Sequence, residues 1–150
     1  MLTGRESQDL GDIMGARKEW KFGAHVARLE QSDVLVVSFS GPTSFDEARR
    51  SVEICEELGS LQPFYLVMDV SDSTIDTKSR EYISRNLKAE WFHGILYVGL
   101  GLAQRAMAKA ILLALYFTGK WSVEVDFVPT EQAAHALILR RREQRLAHAA

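Results

Sequence analysis

The chain has little of several things, and each scarcity removes a class of protein. Only one of its 150 residues is cysteine, Cys55. A single thiol excludes an intramolecular disulfide framework and a cysteine-based zinc site. Neither sign of charge is in excess: 18 basic and 20 acidic residues leave a net −2, so no global field favours nucleic acid or a membrane surface. The N-terminus, Met1 to Leu10, carries charges and lacks the apolar core of a signal peptide. Long apolar runs are missing as well. The most apolar stretch, 94–117, is interrupted by Gln104, Arg105 and Lys109, and each charge costs about 2.5–3.5 kcal/mol at a bilayer centre. It reads as a buried strand and a packed helix, with no membrane insertion. The histidines, His25, His93, His135 and His148, share no metal-ligand spacing. The expectation is a cytoplasmic, non-enzymatic protein with no metal and no cofactor.

What is there is the composition of a globular domain, 47% hydrophobic and 25% charged. A chain of this size buries roughly 68–70% of its unfolded surface and holds a core without staples. Residues 1–19 are polar and punctuated by Gly4, Gly11 and Gly15; they read as a mobile leader before one domain at 20–147. Trp20, Phe22, Ala24 and Val26 alternate with Lys21, Gly23 and His25, which predicts one half-buried strand over 20–29. Val34 to Phe39 is a β-branched run stopped at Ser40-Gly41-Pro42. Ser44 and Glu47 form a capping box before a helical stripe of Phe45, Ala48, Val52 and Cys55, which Gly59 closes as a left-handed cap. Phe64 to Val70 predicts a central strand covered on both faces. A polar loop, 71–77, then leads into a helix reaching about Trp91. Gly94–Val98, 102–117, Trp121–Val128 and the segment from Pro129 supply a strand, a helix, a strand and a helix with Ala134, Leu137 and Ile138 inward.

The predicted order, β-β-α-β-α-β-α-β-α, implies an α/β domain with a mixed, mostly parallel five-stranded sheet and four helices. This succession resembles the STAS domain, and within it the SpoIIAA-like branch of small uncharacterised proteins. The resemblance rests on Val34–Pro42, on Phe64–Ser71 ending in Asp-x-Ser, and on Val125–Ala133. It covers roughly Trp20 to Ile138. It implies a regulatory or protein-binding module rather than chemistry. The anti-anti-sigma proteins continue into an Asp-Ser/Thr-Ser-Gly motif with a phosphate-accepting serine; here the stretch is Asp76-Thr77-Lys78-Ser79-Arg80, with Lys78 near the acceptor position and no glycine.

The segment 71–79 lies at the carboxyl end of a strand and the start of a helix, where open α/β sheets bind ligands. Ser71, Thr77, Lys78, Ser79 and Arg80 are therefore the candidates for a phospho-acceptor or small-anion site, against the plainer reading that Ser, Thr and Asp simply cap a helix. Gly99 and Gly101 open a strand-to-helix turn, but Gln104 stands at the third glycine position of a dinucleotide fingerprint. Cys55 reads as buried filler. The basic run Arg140–Arg145 suits a helix C-terminus without any nucleic acid. A protein partner is expected to bind through the surface around 71–79 and the helix that follows. The helix 102–117 is apolar around most of its circumference, so Ala106, Ala110, Leu113 and Phe117 are expected to form a homodimer interface. The alternative is a cleft for a small lipid-like ligand between this helix and the sheet.

Overall fold

A computed structural model describes residues 18–117, 119 and 121–149; the expected leader lies outside them except for its last two residues, which open the first strand. The elements run β1 (Lys18–Phe22), β2 (His25–Gln31), β3 (Val34–Thr43), α1 (Phe45–Gly59), β4 (Phe64–Ile75), α2 (Thr77–Asn86), a 3-10 turn (Ala89–Trp91), β5 (Phe92–Val98), α3 (Leu102–Phe117), β6 (Val125–Val128) and α4 (Glu131–Ala149). The strands form one six-stranded sheet in chain order, antiparallel from β1 to β3 and parallel from β3 to β6.

The sixth strand arises because the segment 20–29 is a hairpin, not one strand. Phe22 pairs with His25 across the two-residue turn Gly23-Ala24, and Gly23 takes φ +63, which such turns demand. Cross-strand partners share a face, so the turn shifts the alternation by one residue. The side chains that pack inward are Trp20, Phe22, His25 and Ala27, in place of the predicted Ala24 and Val26.

Two further strands are longer than predicted. Beyond a bulge at Ser38–Ser40, β3 and β4 stay paired from Ser40–Asp72 to Thr43–Ile75. The predicted loop 71–75 is therefore strand. Pro42, which has no N–H to donate, is tolerated because the β2–β3 ladder ends at Val26–Ser38, leaving that side of β3 without a strand to donate to. The predicted helix to Trp91 stops at Asn86, and β6 is confined to Val125–Val128. Gly59 is no left-handed cap: Ser60 caps α1 in right-handed geometry. Gly59 instead lets Trp91 close in, since a Cβ there would meet the indole at 2.4 Å.

Alternation divides the core into two layers. Leu35, Val37, Phe39, Phe64, Leu66 and Met68 face α1 and α2 and pack with Ala48, Val52, Cys55 and Ile83. Val34, Val36, Tyr65, Val67, Leu96 and Val98 face the other way, against Ala134 and Ile138 of α4. The inward face predicted for this last helix is the one observed. Lys109 of α3 sits 5.7 Å over the Phe127 ring, which stacks on Tyr97, so α3 shares the face of α1 and α2.

Candidate functional site

The first turn of α2 holds four of the five residues predicted for an anion or modification site. Asp76 caps the helix, accepting from the Ser79 amide at 2.7 Å, and that bond above all holds its carboxyl below the usual range. Thr77 and Arg80 are exposed. Lys78 lies 4.9 Å over the Phe45 ring. Ser79 is fully buried, and its hydroxyl has no hydrogen-bond partner among the described residues. Ser71 is elsewhere: its hydroxyl donates to Asp69 at 2.6 Å, and its side chain packs where a Cβ on Gly99 would sit. That close approach, with φ +83, accounts for Gly99. Gln104 accepts from the Gly101 amide at 3.1 Å and so caps α3.

Along α3 the residues singled out by pattern lie on one solvent-facing strip. Ala106 and Ala110 are exposed, Leu102 is 80% exposed, Leu113 57% and Phe117 84%. Arg105 is half-buried and its Nε lacks a partner among the described residues. Tyr116 donates to the Val123 carbonyl at 2.6 Å and ties the end of the helix to the approach of β6.

Sequence reasoning missed the most connected polar cluster. It lies on the opposite face of the sheet, under the start of α4. Arg28 of β2 donates to Glu131 at 2.7 Å, to Glu30 at 3.0 Å and to the Ser38 hydroxyl at 3.3 Å. His135, one turn beyond Glu131, reaches Glu30 at 2.9 Å. Asp69, whose carboxyl accepts from the Ser71 hydroxyl and amide, feels the charge of Arg28. Burial pushes Asp69 up, but Ser71, Glu131 and the charge of Arg28 together leave it below the carboxylate range. Burial, then the neighbouring Asp69 carboxyl, raises Glu131 against the pull of Arg28. The available signal was Asp69 closing an apolar strand and Arg28 on a strand's charged face. Nothing local ties either to Glu131.

The basic run of α4 is likewise engaged with the sheet. Arg141 pairs with Glu124 and, at 3.2 Å, with Asp126; Arg142 pairs with Asp33 and donates to Gln31 at 2.6 Å. Arg142 and Arg145 both lie over the Tyr65 ring, at 5.7 and 5.8 Å. Burial, then the charge of Arg145, holds His93 below its usual value. Two grooves flank α4, one of about 1130 Å³ against the β1–β2 hairpin and one of about 210 Å³ beside β5 and β6. No described residue of α3 lines either groove. Burial pushes the Cys55 thiol up to about 12, far from a reactive thiolate. Among the described residues no His, Cys, Asp and Glu side chains gather in threes as a metal would need, and no helix is long and apolar enough to cross a membrane.

The chain has a SpoIIAA-like fold. A solved structure described as an uncharacterised protein from the DUF3478 family with a SpoIIAA-like fold, from Shewanella loihica PV-4, superposes with a TM-score of 0.52 at 14% identity, over 81% of this chain and 90% of that one. No protein-family model matches the chain, and no curated protein does.

Proposed function

We propose that this protein is a non-enzymatic cytoplasmic interaction module that pairs with a second copy of itself through α3. The observation that carries the reading is the strip of Leu102, Leu113 and Phe117, all turned to solvent on one helix face. Soluble proteins seldom leave such a contiguous apolar strip uncovered. A second copy fits it by size. If two α3 helices lie antiparallel with Leu102 of one against Phe117 of the other, the same register sets Ala106 against Leu113. Large side chains then fill the space over small ones, the self-complementarity a two-fold interface requires. Lys109, near the middle, leans over Phe127, so its charge is drawn off the contact. Each large side chain gains roughly 1.5–3 kcal/mol on full burial, against an association cost of about 4–15 kcal/mol. The balance favours a weak, concentration-dependent dimer.

Light scattering on the full chain across a concentration series tests this. The parent is expected to move from monomer to dimer, and Leu113→Glu or Phe117→Glu to stay monomeric with an unchanged circular dichroism spectrum. A folded parent that stays monomeric throughout would falsify the reading. A regulatory input at 71–79 belongs to the same proposal in one form: Thr77 is the exposed hydroxyl in the first turn of α2, and phosphate on it would lie beside Lys78 and Arg80. Thr77→Glu is expected to shift the dimerisation midpoint; an unmoved midpoint removes that input.

A further inference from the structure

The smaller groove beside α4 is built around an irregularity in the parallel ladder. Phe64 pairs with Phe92 and Tyr65 with Gly94, so His93 is an extra residue with no partner across β4. Such bulges are rare between parallel strands, re-aim a side chain, and gather next to functional sites. Here the bulge sets the His93 ring 5.3 Å from the Tyr65 ring, and both residues line the groove. Gly94 comes next, and its missing side chain keeps the floor open. A Cβ there would touch the Tyr65 ring at 3.4 Å and the Glu124 carbonyl at 3.7 Å. Across the groove stand Leu137, Arg141, Gln144 and Arg145, at the three- and four-residue spacing of one helix face.

We propose that this groove binds a small tetrahedral oxyanion, a phosphate or the phosphate group of a small ester, through Arg145, His93 and Tyr65. Arg145 forms no ion pair among the described residues, and its guanidinium lies 5.8 Å over the Tyr65 ring. Tyr65 is only 4% exposed, and its hydroxyl joins no hydrogen bond among the described residues. Burial, then the charge of Arg145, holds the His93 imidazole below its usual value; Asp33 pulls the other way and Arg142 adds to the depression. Near neutral pH the ring is therefore uncharged and has one N–H to give. The three donors come from a helix on one side and two strands on the other, so they do not share a plane. A tetrahedral anion offers oxygens in three dimensions, whereas a carboxylate offers two in one plane.

The acids nearby are already engaged. Glu124 and Asp126 line the groove and both pair with Arg141, while Asp33 pairs with Arg142. Arg141 and Arg145 balance Glu124 and Asp126, so direct bonds select the anion and no general field draws it in. The volume, about 210 Å³, lies below the roughly 300–1,000 Å³ of pockets for drug-sized ligands, which keeps the ligand small. The site is independent of pairing through α3, which packs on the other face of the sheet.

Nuclear magnetic resonance of the full chain tests this, with sodium phosphate titrated near neutral pH against sodium chloride at matched ionic strength. Phosphate is expected to give saturating shifts at the His93 ring and the Gly94 amide that chloride does not give. A bound anion favours the imidazolium, so the His93 titration midpoint is expected to rise in phosphate. Arg145→Gln is expected to weaken phosphate by about tenfold or more, the scale of one hydrogen bond to a charged group, and Tyr65→Phe to weaken it less. Gly94→Ala, whose methyl fits at van der Waals distance, fills the floor and is expected to weaken phosphate with an unchanged circular dichroism spectrum. Glycerol phosphate separates the sources: tighter binding than phosphate assigns the site to an ester, and equal or weaker binding to the free ion. Shifts that chloride reproduces overturn the site, as does a phosphate affinity indifferent to both Arg145→Gln and Gly94→Ala. The parent and the surface variant Arg145→Gln decide the matter even if Gly94→Ala fails to fold.

Discussion

The helices α3 and α4 invert the usual division of labour on a protein surface. The apolar one, α3, shows Leu102, Leu113 and Phe117 to solvent. The charged one, α4, turns Glu131, His135, Arg141 and Arg142 towards acidic and basic groups of the sheet, and among its described residues contributes only Ala134 and Ile138 as fully buried apolar side chains. Hydrophobic burial is non-directional, so a helix docked by it tolerates sliding. Ion pairs with fixed partners set a register. The contrast teaches that α4 is positioned and α3 is presented.

The largest effect that would sharpen this contrast is at the one bulky anchor of α4. Ile138→Ala is expected to cost about 2–5 kcal/mol in denaturant unfolding, the range for emptying a buried aliphatic site. A cost below 1 kcal/mol would mean that ion pairs alone hold the helix. Arg142→Gln comes next. Its pair with Asp33 is mostly shielded from water, with side chains 22% and 19% exposed, between the surface and buried cases. About 1–3 kcal/mol is expected, shrinking in high salt; a loss indifferent to salt would point to packing over Tyr65 instead. Ser44→Ala removes one arm of the capping box on α1, where Ser44 accepts from Glu47 at 3.1 Å and Glu47 from Ser44 at 2.9 Å. About 1 kcal/mol is expected by thermal denaturation.

Glu47 adds a sign to check. The Ser44 amide, ahead of the His25 ring, holds its carboxyl below the ordinary value, so its contribution is present above the unfolded value and drains away as pH falls. Glu47→Gln should flatten that acid limb. Smallest of all, Leu113→Ala is expected to change the unfolding free energy of the dilute monomer by under about 0.5 kcal/mol. A loss as large as that of Ile138→Ala would place Leu113 in the core and remove the contrast.

Period and capping made much of the fold legible. The apolar runs at Val34 and Phe64, the Ser44–Glu47 box and the Ala134–Ile138 face are all local patterns; both strands and the first helix begin where they put them, and the last helix buries the face they gave it. The hairpin was hidden because alternation reads straight through Gly23, and the burial of His25 depends on partners far along the chain: the Ser40 amide donates to its Nδ1 at 3.0 Å, and its Nε2 meets Glu47 at 3.1 Å. The continuation of β4 was hidden because Ser, Thr and Asp look like loop, and only the pairing with Ser40–Thr43 makes them strand. The strip on α3 was visible in composition. The Asp69–Glu131–Arg28 cluster was not, since it joins one residue from each of three elements that only the finished sheet brings together.

The strand order carries a consequence for how the chain comes together in time. Each strand lies beside the one made just before it, so every ladder closes a connection no longer than one hairpin or one crossover. Short connections of that kind keep the entropic cost of loop closure low, and the sheet can lengthen by one edge at a time as the polypeptide emerges. The helix α4, which follows all six strands in the chain, is the one that covers Val36, Val67 and Leu96. Until it arrives, a nascent chain with all six strands in place still shows one bare apolar face, and that interval is when it is most exposed to aggregation.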